Sequence, residues 1–141
     1  MKMKEKIAVI MIFCICIAIL IGAQMKRDSI ITPEHTILGL IKAAEKNNTS
    51  GYLAYFCDEL KANLEDQSEK MGEGVFNQIM VKNYANLMGI AISDQREIST
   101  NLIHLTVEFV FDGYDEIKSY LFKKTTNGWK VKMIINAHDA G

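Results

Sequence analysis

Two side chains that can transfer protons lie on the strongest predicted strand, where polar and apolar residues alternate. His104, Thr106 and Glu108 point to one face of this strand. A general base must reach its substrate within hydrogen-bond distance. His104 and Glu108 are separated by about 13 Å at ~3.3 Å per residue, so they cannot contact each other along the strand. We expect a solvated outer face here and no catalytic residue, with His104 and Glu108 as the only candidates.

Motifs for metals, cofactors and nucleic acids are missing from the sequence. No histidine or cysteine spacing fits a metal site, and His35 and His138 are isolated. Neither a glycine-rich phosphate loop nor a nucleophile elbow occurs. Residues 24–141 carry 13 basic and 16 acidic side chains. We therefore predict no cofactor, no metal and no nucleic-acid partner.

Positive charge is concentrated near the C-terminus. The lysines concerned are Lys118, Lys123, Lys124, Lys130 and Lys132. Such a patch near a membrane can contact anionic lipid or an acidic partner. Lysines on outward positions also keep a sheet soluble and its edges unpaired, and we prefer this second interpretation.

An uncharged apolar segment predicts that the chain is anchored in a membrane. Residues 7–23 read IAVIMIFCICIAILIGA. The basic flanks are Lys2, Lys4 and Lys6 before this segment and Lys26 and Arg27 after it. As a helix the segment spans roughly 26 Å, slightly less than the ~30 Å hydrocarbon core of a bilayer. The surplus of lysines before it predicts a cytoplasmic N-terminus and an extracytoplasmic C-terminal domain.

The same segment also fits a signal peptide that is cleaved after Ala23, which would make the protein secreted. We prefer the uncleaved anchor because the segment exceeds the usual apolar core of ~7–15 residues. Cys14 and Cys16 follow large residues, which argues against lipidation. Cys57 is the only cysteine after residue 23, so that part forms no internal disulfide, and we expect Cys57 to be buried and inert.

The remaining chain changes from helical to strand periodicity. We predict the anchor or signal segment at residues 1–23, a linker at 24–31, and an α+β domain at 32–138. Its predicted helices cover residues 33–44, 50–64 and 75–88, with an acidic loop at 65–74. Its predicted strands cover residues 90–98, 103–111, 116–124 and 129–135. Asp112-Gly113 and Asn127-Gly128 supply the last two turns.

Two segments resemble the nuclear transport factor 2-like superfamily. TPEHTILGLIKAAEKNNTSGYLAYFCDEL is similar to its opening helical hairpin, and YLFKKTTNGWKVKMI is similar to the closing hairpin of its small bacterial extracytoplasmic members. The resemblance implies three helices on a curved antiparallel sheet of about four strands, which form a cone. In that superfamily the cone can hold a small-molecule pocket, and members include isomerases, cyclases, and binding or assembly modules.

The resemblance implies that the apolar phase of two strands lines such a pocket. The pocket-lining residues would be Leu105, Val107, Phe109, Phe111, Trp129, Val131 and Met133. None of these side chains is ionisable, so neither strand offers a base to a bound substrate. We expect a membrane-anchored, non-catalytic domain that binds a small apolar ligand or an envelope protein, or that forms a homodimer through its sheet. The alternative is a small cyclase-like or isomerase-like enzyme that acts on an apolar substrate.

Overall fold

A computed structural model describes residues 32–136, in which four helices precede four strands. The helices are α1 (Pro33–Glu45), α2 (Thr49–Leu53), α3 (Asp58–Met71) and α4 (Glu73–Asn83). The strands are β1 (Leu87–Ser99), β2 (Leu102–Phe111), β3 (Tyr114–Thr125) and β4 (Gly128–Asn136). The predicted anchor, the linker, Cys14, Cys16 and His138 lie outside the described residues. Within residues 32–136 no helix is long and apolar enough to cross a membrane.

Helix α1 begins as the sequence predicts because its first turn is capped. The Thr32 hydroxyl accepts a hydrogen bond from the His35 backbone N–H at 3.3 Å. Pro33 occupies the first helical turn and Glu34 complements the helix dipole. The buried stripe of this helix includes Ile37 and Leu40, which belong to the main core. This helix therefore supplies one wall of the core.

The helix predicted at residues 50–64 is interrupted at residues 54–57, although its apolar residues follow helical spacing without a break. Helix α2 ends at Leu53, a turn follows at residues 54–55, and Phe56 then forms an isolated parallel bridge with Val131 of β4. The Val131 N–H donates to the Tyr55 carbonyl at 2.8 Å, and the Cys57 N–H donates to the Val131 carbonyl at 3.0 Å. These long-range bonds come after the last local ones, in which the N–H groups of residues 54–56 donate to carbonyls of α2. The segment of residues 54–57 thus covers part of an edge that would otherwise be unpaired.

The prediction of an acidic loop at residues 65–74 is wrong, because helix α3 continues to Met71. Its side chains are mostly strong helix formers. Two ion pairs with helical i,i+4 spacing, Lys61 with Glu65 and Asp66 with Lys70, lie on this helix. Gly72, with φ of 87°, supplies the left-handed conformation that separates α3 from α4. Residues 32–136 contain four helices where three were expected, because the predicted helix at residues 50–64 is divided into α2 and α3.

The four strands form one antiparallel sheet in the order β1-β2-β3-β4. Residues of β2 and β3 pair one to one without a register shift. We name two faces of this sheet. The inner face carries Leu105, Val107 and Phe109 of β2 and packs in the core with side chains of α1, α2 and α4. The outer face carries His104, Thr106 and Glu108.

A β-bulge in β4 changes the predicted phase of the last strand. Val131 pairs with Phe122, whereas Met133 pairs with the adjacent Leu121. Adjacent residues of a strand point to opposite faces, so Val131 lies on the inner face and Met133 on the outer face. Met133 is 48% exposed, whereas Val131 is fully buried. The expected single apolar face from Trp129 to Ile135 is therefore divided between two faces.

Candidate functional site

The space between the sheet and the helices is occupied by side chains that the sequence assigns to a pocket wall. Leu105, Val107, Phe109, Phe111 and Val131 are at most 4% exposed. Trp129 is half-buried and packs against this cluster. Met133 lies on the outer face. The inner wall is thus apolar along β2, as the alternation predicts, and these side chains pack against one another.

Three tyrosines come together on the inner side of the sheet, and we name them the tyrosine cluster: Tyr52 of α2, Tyr84 after α4, and Tyr120 of β3. The Phe109 ring links two of them, with its centroid 6.2 Å from Tyr84 and 6.3 Å from Tyr120. Burial raises the pKa of all three hydroxyls above the ordinary tyrosine value. At neutral pH these hydroxyls are therefore hydrogen-bond donors and poor bases.

An ion pair lies next to the tyrosine cluster. Glu116 pairs with Phe109 across the sheet, and Lys118 pairs with Val107, so both side chains belong to the inner phase of β3. The Lys118 ammonium is 3.4 Å from Glu116 and 5.6 Å from the centre of the Phe109 ring. The sequence-based prediction did not say which residues of β3 face inward, so it did not include Glu116 and Lys118. Strand alternation counted back from Tyr120 would place both residues on the inner face.

The structure separates the two catalytic candidates and places them on the outer face. His104 pairs with Arg96 of β1 and Leu121 of β3, whereas Glu108 pairs with Ala91 and Ile117. The hydroxyls of Thr106 and Ser119 lie between them, 3.3 Å apart. Nδ1 of His104 is buried and has no hydrogen-bond partner among residues 32–136. His104 and Glu108 are not brought together into a dyad.

A surface cavity of about 380 Å³ lies where the α2–α3 junction meets the β3–β4 turn. We name it the lysine pocket, because Lys61 and Lys130 line it. Asp58 also lines it, and its carboxylate accepts hydrogen bonds from Lys123 and Lys132, each at 3.0 Å. The hydrogen bonds from Lys132 and then Lys123 hold the pKa of Asp58 below its usual range. In the sequence, the only indication of this site is the group of lysines on the last two strands.

Cys57 lies at the wall of the lysine pocket, but its thiol is protected. The side chain is buried, and its sulfur is 3.6 Å from the Val131 carbonyl oxygen. Burial, followed by the negative charge of Asp58, raises the pKa of this thiol. The thiolate is the nucleophilic form, so Cys57 is a weak nucleophile at neutral pH. Among the described residues no three histidine, cysteine or acidic side chains are grouped as a metal site.

No protein-family model matches the sequence, and no curated protein is similar to it. The chain is similar to a solved structure from Campylobacter jejuni assigned as an NTF2-like transpeptidase, at 14% identity and a TM-score of 0.49, over 72% of this chain and 99% of that chain. It is also similar to an NTF-2 like protein of unknown function from Shewanella oneidensis, with 14% sequence identity and a TM-score of 0.42. This second match covers 77% of this chain and 96% of the Shewanella chain. At these scores the likeness assigns no family and no activity.

Proposed function

We propose that residues 32–136 form a non-catalytic assembly domain that pairs with a second copy of the chain through the outer face of its sheet. Residues 7–23 would hold the domain at the extracytoplasmic side of a membrane. One contrast carries the proposal: apolar side chains on the inner face are packed in the core, whereas apolar side chains on the outer face are exposed.

The packed interior favours a protein partner over a small apolar ligand. Val107 and Phe122 are fully buried, and Leu105 and Phe109 are each 1% exposed. Protein cores are packed to the density of organic crystals, so a ligand in this space would have to displace side chains. Opening the core in this way would lose favourable contacts before any contact with the ligand forms. The outer face needs no such rearrangement.

The outer face exposes large apolar side chains around a polar centre. Ile117 is 51% exposed and Met133 is 48% exposed. Leu121 and Ile135 are half-buried on the same face. Thr106 and Ser119 in the centre share one hydrogen bond, so covering them leaves a single hydroxyl hydrogen to be paired by the partner. Contiguous apolar patches of this kind typically mark interaction surfaces.

The size and charge of this face suit a second copy. Four strands at ~4.8 Å spacing and about ten residues at ~3.3 Å give a flat area of roughly 600 Å². A standard interface buries about 800 Å² of accessible surface on each partner, which is of the same order. Arg96, which forms an ion pair with Asp94 at 3.1 Å, and Glu108 bring both signs of charge to the face. A two-fold arrangement can place opposite charges of the two copies near each other. Anchored copies would also meet in the plane of one membrane, which raises their effective concentration.

The full chain in a non-ionic detergent is expected to form dimers that Ile117→Lys weakens. The substitution places a charge in the apolar part of the interface and should raise the dimer dissociation constant about tenfold or more. Sedimentation equilibrium measures this constant. Ile79→Lys is the matched control, since Ile79 lies on α4 and is 43% exposed. A full chain that stays monomeric, or an equal effect of both substitutions, contradicts the proposal.

The tyrosine cluster favours the second candidate, an isomerase-like or cyclase-like enzyme. Tyr120 is 2% exposed on the inner face, and its hydroxyl could donate to a substrate oxygen. If the domain is non-catalytic, Tyr120→Phe should restore the phenotype of a strain that lacks the chain, as should His104→Ala and Glu108→Ala. Thermal unfolding and membrane level serve as controls. Loss of complementation by Tyr120→Phe at unchanged stability would favour the enzyme.

A further inference from the structure

The lysine pocket carries more positive than negative charge. Lys61, Lys130 and Asp58 line it, and Lys123 and Lys132 lie beside it, where both form ion pairs with Asp58. The Asp58 carboxylate can offset one of these four charges. Glu65 lies 3.8 Å from the Lys61 ammonium, at the far limit of an ion pair, and is more than half exposed. The four lysines therefore outnumber the carboxylates next to them, and the electrostatic potential at the cavity wall is positive.

Lys130 faces this cavity without a carboxylate partner among residues 32–136. Its ammonium donates a hydrogen bond to the Ala54 carbonyl at 2.6 Å and lies 5.8 Å from the centre of the Tyr55 ring. A carbonyl oxygen and an aromatic ring orient an ammonium group but do not neutralise it. Lys130 is therefore held in place with its full charge.

Neutral donors complete the wall. Thr126 and Asn127 of the β3–β4 turn line the cavity and are exposed. Lysine binds phosphate as a point charge, and the cations of the described lining are lysines. The volume of about 380 Å³ is in the range of small-ligand pockets. These properties together suit a phosphate group attached to a small organic moiety.

We propose that the lysine pocket binds a phosphate group, carried either by a small soluble molecule or by a lipid headgroup. Lys61 and Lys130 contact the phosphate oxygens, and Thr126 and Asn127 donate hydrogen bonds to the ligand. Asp58 acts as an internal anion that holds Lys123 and Lys132 away from the ligand. Lys123 and Lys130 pair with each other at one end of the outer face. The apolar residues proposed to be buried in the dimer, such as Ile117 and Met133, do not line the pocket. The phosphate site therefore goes beyond the assembly function and is tested separately from it.

The test is a calorimetric titration of the full chain in non-ionic detergent with sodium pyrophosphate at low ionic strength. Lys61→Gln and Lys130→Gln are each expected to weaken binding about fivefold or more, because each removes one charged contact. Glutamine at position 130 keeps a donor for the Ala54 carbonyl. Lys70→Gln is the matched control, since the Lys70 side chain is 76% exposed on the same helix and does not line the pocket. Asp58→Asn is expected to strengthen binding, because it releases two further lysines.

A second titration separates the two sources of phosphate. Short-chain phosphatidylglycerol and short-chain phosphatidylcholine are added as soluble lipids. Binding of pyrophosphate supports a soluble ligand, and binding of phosphatidylglycerol alone supports a lipid headgroup. Binding of neither, or an equal loss with Lys70→Gln, overturns the proposal. If Lys130→Gln lowers the melting temperature, Lys61→Gln on the surface of α3 still decides the result, whether or not the chain is a dimer.

Discussion

Replacement of Phe109 by alanine is expected to lower the free energy of unfolding by about 3–5 kcal/mol. The Phe109 side chain is 1% exposed, and its ring lies near Tyr84, Tyr120 and Phe111. Its removal loses apolar burial and leaves a cavity that the surrounding rings cannot fill without moving. Such a loss is a large part of the ~5–15 kcal/mol that stabilises an ordinary domain. Urea unfolding of the full chain in detergent, followed by the fluorescence of Trp129, measures the change.

The adjacent residue provides the control for Phe109. Val110 points to the outer face of the same strand and is half-buried. Val110→Ala should therefore change the unfolding free energy by at most about 1 kcal/mol. Equal losses at the two positions would contradict the assignment of the inner and outer faces. The proposal that the interior is packed with side chains would then lose its basis.

The features that the sequence predicted correctly depend on local signals. The Thr32 cap and Pro33 lie within the first turn of α1, so neither depends on a distant partner. Strand β2 alternates strictly, and its pairing with β3 has no register shift. Its inner phase at Leu105, Val107 and Phe109 is therefore as expected. The outward position of His104 and Glu108 follows from the same alternation.

The features that the sequence did not predict depend on contacts between distant residues. Helix α2 ends early because Tyr55 and Cys57 bond to Val131, some 75 residues further along the chain. The bulge that moves Met133 to the outer face arises in the pairing of β4 with β3, and alternation within β4 alone cannot reveal it. The second half of α3, residues 65–71, was predicted as a loop for another reason: its polarity resembles that of a loop, although its ion pairs have helical spacing.

Both candidate sites illustrate the same limit. Tyr52, Tyr84 and Tyr120 belong to three separate elements, and only the folded chain brings them against Phe109. Residues 54–61 and 125–130 contribute to the lysine pocket, and the group of lysines on the last two strands gave no indication of Asp58 as their partner. Sequence spacing finds sites that lie on one element. Sites that are assembled from distant segments require the tertiary structure.

Ile15→Arg is expected to prevent stable insertion of the full chain into the membrane. Ile15 lies at the middle of the uncharged residues 7–23. An arginine at the centre of a membrane helix opposes insertion by about 2.5–3.5 kcal/mol, which corresponds to a shift of about 100-fold in the insertion equilibrium. Carbonate extraction of membranes measures the shift, and Ile15→Leu is the matched control because it keeps the segment apolar.

Release of the unsubstituted chain by carbonate would contradict the anchor, and a mature N-terminus at Gln24 would indicate cleavage after Ala23 instead. Either result would remove the argument that two copies meet in the plane of one membrane, whereas retention of the Leu variant and release of the Arg variant would support it.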